Sequence, residues 1–173
     1  GTYAQMNPPI RSGAHRDGLW HWLNQGVPDV LGSDHAPHTI EEKAKPYPTS
    51  PSGMPGVQTL VPLLLNHVAE GRLTLRRFIE LTSSGPQRVF GLVGKGRIAL
   101  GYDADFTVVD LKKRWTVGSD WLASRCNWSP FEGMDLTGKA VGTIIRGHRV
   151  MWEDALANEA VGEPVRFEAT EFS

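Results

Sequence analysis

Apolar positions in the first part of the chain follow two different periods. Residues 15–25 carry leucine and tryptophan at helical spacing and are followed by Gly26, a residue that commonly ends a helix. Residues 27–32 form a short apolar run with a proline near its start, which is typical of a short buried strand. The run ends abruptly in polar residues, and the polar, proline-rich stretch 39–56 follows. A loop of that length inside a compact domain is usually functional or disordered.

Helical periodicity dominates the segment after this loop. Apolar residues within 61–69 recur at the spacing of one helix face, with Thr59 as the N-cap. A second helix is predicted from about Thr74. A third begins at residues 84–87, whose spacing is that of a capping box, and we expect it to end near Gly91.

Beyond Gly91 the pattern changes to short alternating runs separated by glycine. Alternation of this kind indicates β-strands, here over residues 97–99, 105–110 and 115–117. Residues 141–152 are predicted to form a hairpin that turns near Gly147 and His148.

This change of pattern divides the chain into two parts. Residues 1–91 are predicted to form a layer of strands and helices, and residues 92–173 a small β module. The last residues of the chain are weakly patterned, and we expect them to lie along the surface. The chain opens without a methionine, on what reads as the end of a strand, so we expect it to begin partway through a larger protein.

Charge and cysteine content narrow the function classes. The chain has 173 residues, and its 18 basic and 19 acidic side chains leave a net charge of −1 at pH 7. This balance argues against a nucleic-acid partner or a membrane surface held by bulk electrostatics. The single cysteine, Cys126, cannot form an intramolecular disulfide or a multi-thiolate metal site. No apolar run approaches the ~18 residues of a membrane span. We therefore predict a cytoplasmic protein.

The sharpest candidate for chemistry is Asp34, in the run Asp34 to His38 at the end of the predicted buried strand. In an α/β barrel, catalytic groups lie at this end of the strands. An aspartate placed there can ligate a divalent metal and exchange a proton with a metal-bound water. The alternative is that Asp34 caps the following turn and the histidines fill polar loop positions, and this short motif alone does not decide between the two.

Two further segments are suited to holding a small ligand. Paired prolines stiffen residues 7–11, so that Asn7 could match an amide edge and Arg11 a carboxylate. In residues 52–57, glycines on both sides of Pro55 allow the backbone to approach a ligand closely. Taken singly, the first segment could be a simple strand-to-helix connector and the second a loop hinge.

Taken together and in this order, the motifs resemble the dihydroorotases of the amidohydrolase superfamily. The similarity covers nearly the whole chain and lies closest to the dihydroorotase type also found in the large animal pyrimidine-synthesis polypeptide. The matching segments are Met6–Arg11, Gly32–Lys43, Gly53–Thr59 and Asn127–Gly133.

The resemblance implies an α/β fold: the C-terminal portion of a metal-dependent (β/α)8 TIM barrel plus a small β-sandwich. Residues 1–91 would be the last strands and helices of the barrel, and residues 92–173 the β-sandwich accessory module with a C-terminal tail. The implied reaction is the reversible hydrolysis of L-dihydroorotate to N-carbamoyl-L-aspartate in de novo pyrimidine biosynthesis. The implied cofactor is zinc, as a binuclear centre in the intact enzyme.

Residue roles carry over by motif position. Asp34 would be the last metal ligand and the proton shuttle between the attacking hydroxide and the leaving ring nitrogen. Asn7 and His38 would hold substrate, with His38 near its carboxylate, and backbone groups of Pro55 and Gly56 would contact the pyrimidine edge. Asn7 also favours the dihydroorotases over the hydantoinases and allantoinases, in which the resemblance implies a different residue before the paired prolines.

The remaining ligands of such a metal centre are expected before residue 1. These are the family's His-x-His pair, its carboxylated lysine and its two later metal histidines, together with the arginine for the substrate carboxylate. We therefore expect this chain to be inactive alone and to need the missing N-terminal half. Further partners under this reading are a second copy in a homodimer, or aspartate transcarbamoylase. The alternatives are an allantoinase or hydantoinase-type cyclic amidase, and a non-catalytic dihydroorotase-like partner of aspartate transcarbamoylase.

Overall fold

Helices in the first half of the chain precede an antiparallel sheet in the second half. The structure, a computed structural model, describes residues 1–168. The helices are α1 (Gly13–Asn24), α2 (Ile40–Lys43), α3 (Leu60–Ala69), α4 (Leu75–Ile79) and α5 (Gly85–Phe90). The strands are β1 (Phe106–Thr116), β2 (Asp135–Ile145), β3 (His148–Trp152) and β4 (Ala155–Leu156). Within residues 1–168, no helix is long and apolar enough to cross a membrane.

The helices follow the apolar spacing of the sequence closely. Thr59 precedes α3 and Thr74 caps α4, accepting a hydrogen bond from the backbone of Arg77. A π-helical turn, Glu80–Ser84, joins α4 to α5, which ends at Gly91 with φ +60°. The chain thus continues from α4 through this turn into α5 without a break. The sequence pattern predicted separate helices there.

Helix capping occurs at a different place from the one predicted. The expected capping box at residues 84–87 is absent, because Ser84 has helical backbone angles and makes no capping bond with its side chain. The preceding π-helical turn already supplies carbonyl partners there, so α5 has no free N-terminus to cap. A complete capping box lies instead at Thr39 and Glu42, at the start of α2. The predicted loop 39–56 therefore contains a short helix.

The predicted buried strand over residues 27–32 is not a strand in this structure. The segment is extended, but Val27 is 63% exposed and no ladder forms along the run within the described residues. Its backbone is tied instead to the π-helical turn, through a hydrogen bond of 3.3 Å from the Leu31 amide to the Leu81 carbonyl. A strand is defined by its neighbours, and residues 1–168 place none beside this segment.

The sheet has the strand order β1-β2-β3-β4, with antiparallel neighbours. The predicted hairpin at 141–152 is confirmed, and its two-residue turn is formed by Arg146 and Gly147, both with positive φ. The runs predicted at 105–110 and 115–117 join into β1, with a register shift between them. Residues 97–99 form no strand.

The C-terminal segment forms little regular structure. Residues 157–168 are mostly exposed, as predicted. Their contacts with the rest of the protein include an isolated bridge between Leu92 and Phe167 and an ion pair between Arg146 and Glu163. The remainder of the predicted tail, residues 169–173, lies outside the described residues.

The core joins the helices to the sheet. Leu65, Leu73 and Leu81 are at most 2% exposed and form one cluster, against which Val109 of β1 packs. Helix α3 approaches β2 at Gly138, where a Cβ atom would lie 2.7 Å from Cβ of Leu65. Only glycine permits this approach, because Gly138 also has φ +99°.

An ion network joins the segment after α5 to the start of the sheet. The Lys95 ammonium lies 2.8 Å from the Asp103 carboxylate and also contacts Asp105. The hydrogen bond to Asp103 raises the pKa of Lys95, and the same bond lowers the pKa of Asp103. Asp103 therefore stabilises the fold above the ordinary aspartate pKa, and its contribution is lost as pH falls through its lower folded-state pKa.

We expect Lys95→Met to lower the free energy of unfolding at pH 7, because two partly buried carboxylates lose their cation. The deficit should shrink on acidification below about pH 4, where the carboxylates of the unfolded chain become protonated. Urea denaturation across this pH range would measure it, with Lys45→Met, at an exposed position, as the control. A deficit that is the same at pH 7 and pH 3 would contradict the assignment.

Candidate active site

Three segments distant in sequence meet at one place: residues 5–9, 33–38 and 50–57. The Gly53 amide donates to the Gln5 carbonyl at 2.9 Å, and the Ala36 amide donates to the Met54 carbonyl at 3.2 Å. The third segment thus lies against both of the others. It can do so because Gly53 has no side chain: a Cβ there would lie 2.7 Å from both Cβ and the carbonyl oxygen of Ala36.

Asp34 is exposed and has a left-handed backbone with φ +45°. This conformation is uncommon for a residue other than glycine, and such residues are enriched at functional sites. Within residues 1–168, the hydrogen bonds of this segment are made by its histidines and its backbone, and none by the Asp34 carboxylate. The alternative that Asp34 caps the following turn is therefore wrong for this structure. The carboxylate is free to meet a ligand.

His35 organises the backbone beside Asp34. Its Nδ1 accepts hydrogen bonds from the amides of Gly56, at 3.0 Å, and Val57, at 3.3 Å. Because Nδ1 is the acceptor, the proton of the neutral ring is on Nε2. The sequence argument did not assign a role to His35. The only signal available was its place next to Asp34, and the partner amides are about twenty residues further along the chain.

The two backbone groups predicted to meet substrate differ in availability. The Gly56 amide is bound by His35, and its carbonyl accepts from the Leu60 amide and the Thr59 hydroxyl, each at 3.1 Å. The Pro55 carbonyl accepts no hydrogen bond from residues 1–168. Pro55 therefore offers a free acceptor, whereas Gly56 is fully engaged within the protein.

His38 is held on several sides. Its Nε2 lies 3.1 Å from the Ser52 carbonyl, which can only accept, so this nitrogen carries a proton. Its Nδ1 lies 3.7 Å from the Glu42 carboxylate. Its backbone carbonyl accepts a hydrogen bond of 2.7 Å from the indole of Trp128, a residue in the loop between β1 and β2. The ring is about 30% exposed, which leaves an edge for a ligand.

Asn7 lies two residues beyond the docked Gln5 and is exposed, as is Arg11. The hydrogen bonds described for this segment involve Gln5 rather than the Asn7 amide. Both ends of that amide are therefore available to a ligand.

A cavity of about 290 Å³ lies between the 50–57 segment and the β1–β2 loop. Gln58 holds the two together, because its side-chain amide donates to the Trp121 carbonyl at 2.6 Å and accepts from the Ala123 amide at 2.9 Å. The cavity is lined by His35, Pro55, Gly56, Val57, Gln58, Thr59, Leu122, Ala123, Ser124, Trp128 and Ser129. Pro55 and Gly56 are thus brought together with His35 in its wall, whereas Asn7, Asp34 and His38 do not line it.

The described residues do not form a metal centre by themselves. Within residues 1–168 there is no group of three or more histidine, cysteine, aspartate or glutamate side chains that could hold a metal ion. Zinc sites need three or four protein ligands, and Asp34 could supply one.

Comparison with known proteins defines the class of fold. The chain superposes on an L-hydantoinase from Arthrobacter aurescens with a TM-score of 0.87 and 35% identity, over 92% of this chain and 36% of that one. A D-hydantoinase structure matches with a TM-score of 0.84 and 28% identity, over 90% of this chain and 35% of that one. The predicted α/β fold, part of an amidohydrolase barrel with a small β module, is therefore confirmed.

The family follows from the sequence matches. The model of the Amidohydrolase family matches residues 8–150, and the chain belongs to that family. It is 43% identical to the dihydroorotase of Pyrococcus furiosus over 161 residues, which are 93% of this chain and 37% of that protein. It is also 43% identical to the dihydroorotase of Halobacterium salinarum, over 96% of this chain and 39% of that protein. The chain thus spans a little over a third of the length of these relatives.

We expect His35→Leu to release the Gly56 and Val57 amides, since leucine offers no acceptor. Loss of these bonds should cost about 1 kcal/mol of unfolding free energy, because the amides regain only partial access to water. Hydrogen exchange should accelerate at both amides. His148→Leu, at an exposed position at the start of β3, is the matched control. Unchanged exchange at Gly56 and Val57 would contradict the assignment.

Proposed function

We propose that the complete enzyme containing this chain is a dihydroorotase, a metal-dependent cyclic amide hydrolase that interconverts L-dihydroorotate and N-carbamoyl-L-aspartate in pyrimidine biosynthesis. The observation that carries the proposal is the docking of the 50–57 segment against both other motifs. It brings the backbone of Pro55 close to the segments that bear Asn7 and Asp34. The high identity to archaeal dihydroorotases along nearly the whole chain supports it.

The proposed role of Asp34 is proton transfer. In the hydrolytic direction, its carboxylate takes a proton from the attacking water and delivers it to the ring nitrogen that leaves. Its exposure and its lack of a protein partner within residues 1–168 support this role, since a carboxylate already bound to backbone amides would be a weaker base. We propose that the complete enzyme uses a binuclear zinc centre, to which this chain contributes Asp34 as a single ligand.

The proposed substrate contacts use the remaining candidates. Asn7 offers an amide donor and acceptor to the cyclic imide edge. His38 lies beside the substrate carboxylate and meets it with the exposed edge of its ring, since its Nε2–H is already donated to the Ser52 carbonyl. The free Pro55 carbonyl accepts from a ring N–H. Gly56 does not contact substrate directly, because its own backbone groups are bound to His35 and to the start of α3. It fixes the position of the neighbouring Pro55 carbonyl instead.

We propose that residues 1–91 close the barrel and residues 92–173 form the accessory module. The end of α5 at Gly91 and the confinement of the sheet to residues beyond 105 support this division. Other partners proposed for the complete enzyme are a second copy or aspartate transcarbamoylase, and its proposed location is the cytoplasm.

The second candidate is a hydantoinase or allantoinase-type cyclic amidase, which the superposition on two hydantoinases favours. Asn7 before the paired prolines favours the dihydroorotase. A non-catalytic partner of aspartate transcarbamoylase is the third alternative, and the presence of Asp34, Asn7 and His38 counts against it.

Turnover of dihydroorotate, hydantoin and allantoin by the complete enzyme tests the proposal. We expect dihydroorotate to be preferred, and Asp34→Asn to lower kcat by about 10³-fold, within the range for loss of a general acid–base group. Asparagine is the suitable replacement, because it tolerates the left-handed backbone found at this position. A preference for hydantoin would establish the second candidate, and near-normal turnover by Asp34→Asn would remove Asp34 from the mechanism.

We expect His38→Ala to raise KM for dihydroorotate about tenfold or more, as for loss of a charge-assisted contact, with a smaller change in kcat. The same variant should change KM for unsubstituted hydantoin much less, because that substrate has no carboxylate. His67→Ala, which removes a histidine from the last turn of α3, is the control. Equal effects on both substrates would show that His38 does not meet the carboxylate.

A further inference from the structure

Lys43 is a fully buried cation without an acidic partner among residues 1–168. Its side chain is 0% exposed, and none of the ion pairs within residues 1–168 includes it. Its ammonium donates instead to two backbone carbonyls, that of Gln5 at 3.0 Å and that of Pro51 at 2.9 Å. Burial lowers the pKa of Lys43 below the ordinary value. Burying a charge in this way is costly, so the position calls for an explanation.

The two carbonyls belong to different segments of the candidate site. Gln5 lies two residues before Asn7, and its carbonyl also accepts from the Gly53 amide at 2.9 Å. Pro51 opens the segment that leads to Pro55, and its carbonyl has no other hydrogen-bond partner among residues 1–168. A single ammonium therefore fixes the distance between the backbone near Asn7 and the backbone leading to Pro55.

The segment that carries His38 is also tied to Lys43. Lys43 ends α2, the short helix that follows His38, and its own carbonyl accepts from the Ser50 hydroxyl at 3.2 Å. The His38 ring contacts the carbonyl of Ser52, next to Pro51. The three segments that carry the proposed substrate contacts therefore converge on Lys43.

We infer that Lys43 is a positioning residue: its buried ammonium holds Asn7, His38 and Pro55 in the arrangement that binds substrate. This inference rests on the proposed function for the identity of the substrate. An apolar side chain at position 43 could fill the same space without a buried charge, but it would leave the Pro51 carbonyl without a donor. The buried ammonium therefore holds the backbone at Gln5 and Pro51, which lies in no helix or strand.

The test compares Lys43→Met with Lys45→Met in the complete enzyme. The two lysines lie in the same segment, but Lys45 is exposed. For Lys43→Met we expect KM for dihydroorotate to rise about tenfold or more, since small misplacements of binding groups weaken binding strongly, while kcat changes less. In the ligand-free protein, hydrogen exchange should accelerate at the Gly53 amide. Lys45→Met should change neither quantity.

A double-mutant cycle separates positioning from general stability. If Lys43 positions His38 together with Asn7 and Pro55, then Lys43→Met should raise KM less in a His38→Ala background than in the wild type, because only its effects through Asn7 and Pro55 remain. A merely structural role predicts that the two effects multiply. Multiplicative effects, or a KM equal to that of Lys45→Met, would overturn the inference.

Two further outcomes are decisive. If Lys43→Met does not fold, Lys43→Gln, which is neutral but keeps an N–H donor, takes its place; failure of both to fold would assign Lys43 to stability alone and overturn the inference. If the wild-type enzyme prefers hydantoin to dihydroorotate, the proposed function fails. In that case KM is measured for hydantoin, and Asn7→Ala replaces His38→Ala in the double-mutant cycle. The comparison of Lys43→Met with Lys45→Met then still decides the role of Lys43.

Discussion

The close packing of three backbone segments around Gly53 underlies the whole candidate site. Because Gly53 has no Cβ, its chain can lie against Ala36 on one side while its amide reaches the Gln5 carbonyl on the other. Neither neighbour belongs to a regular strand or helix, so the usual ladder of hydrogen bonds is not available to hold the segments. Individual polar contacts replace it, above all those of Lys43 and His35. Polar networks of this kind specify one arrangement when their members are satisfied.

The sheet contacts the site indirectly, through α3 and through the loop between β1 and β2. Helix α3 lies directly on β2 at Gly138, so the helices and the sheet share one core. The loop between β1 and β2 then returns to the site, where Gln58 binds its backbone and Trp128 donates to the carbonyl of His38. Although the sequence pattern predicts a division at residue 91, the segments on its two sides are in contact through α3 and this loop.

The arrangement also separates two kinds of group. Asp34, Asn7 and the Pro55 carbonyl have free polar atoms among the described residues, whereas His35, Gly56 and Lys43 are bound within the protein. Free groups suit contact with a ligand, and bound groups suit the support of those contacts. In two of the motifs the two kinds of group are neighbours in sequence, Asp34 beside His35 and Pro55 beside Gly56.

The sequence by itself determined α1, α3, α4, α5 and the hairpin, because these depend on local spacing: the apolar face of α3, the end of α5 at Gly91 and the turn at Gly147 can all be recognised in it. Its motifs also predicted Asp34 and His38 as candidate site residues. Only the tertiary structure revealed the contacts of His35 and Lys43, since their partners lie far away in sequence and carry no recognisable pattern of their own. The same reason explains the error over residues 27–32: an apolar run shows that a segment can be a strand, but pairing depends on neighbours that local sequence does not encode.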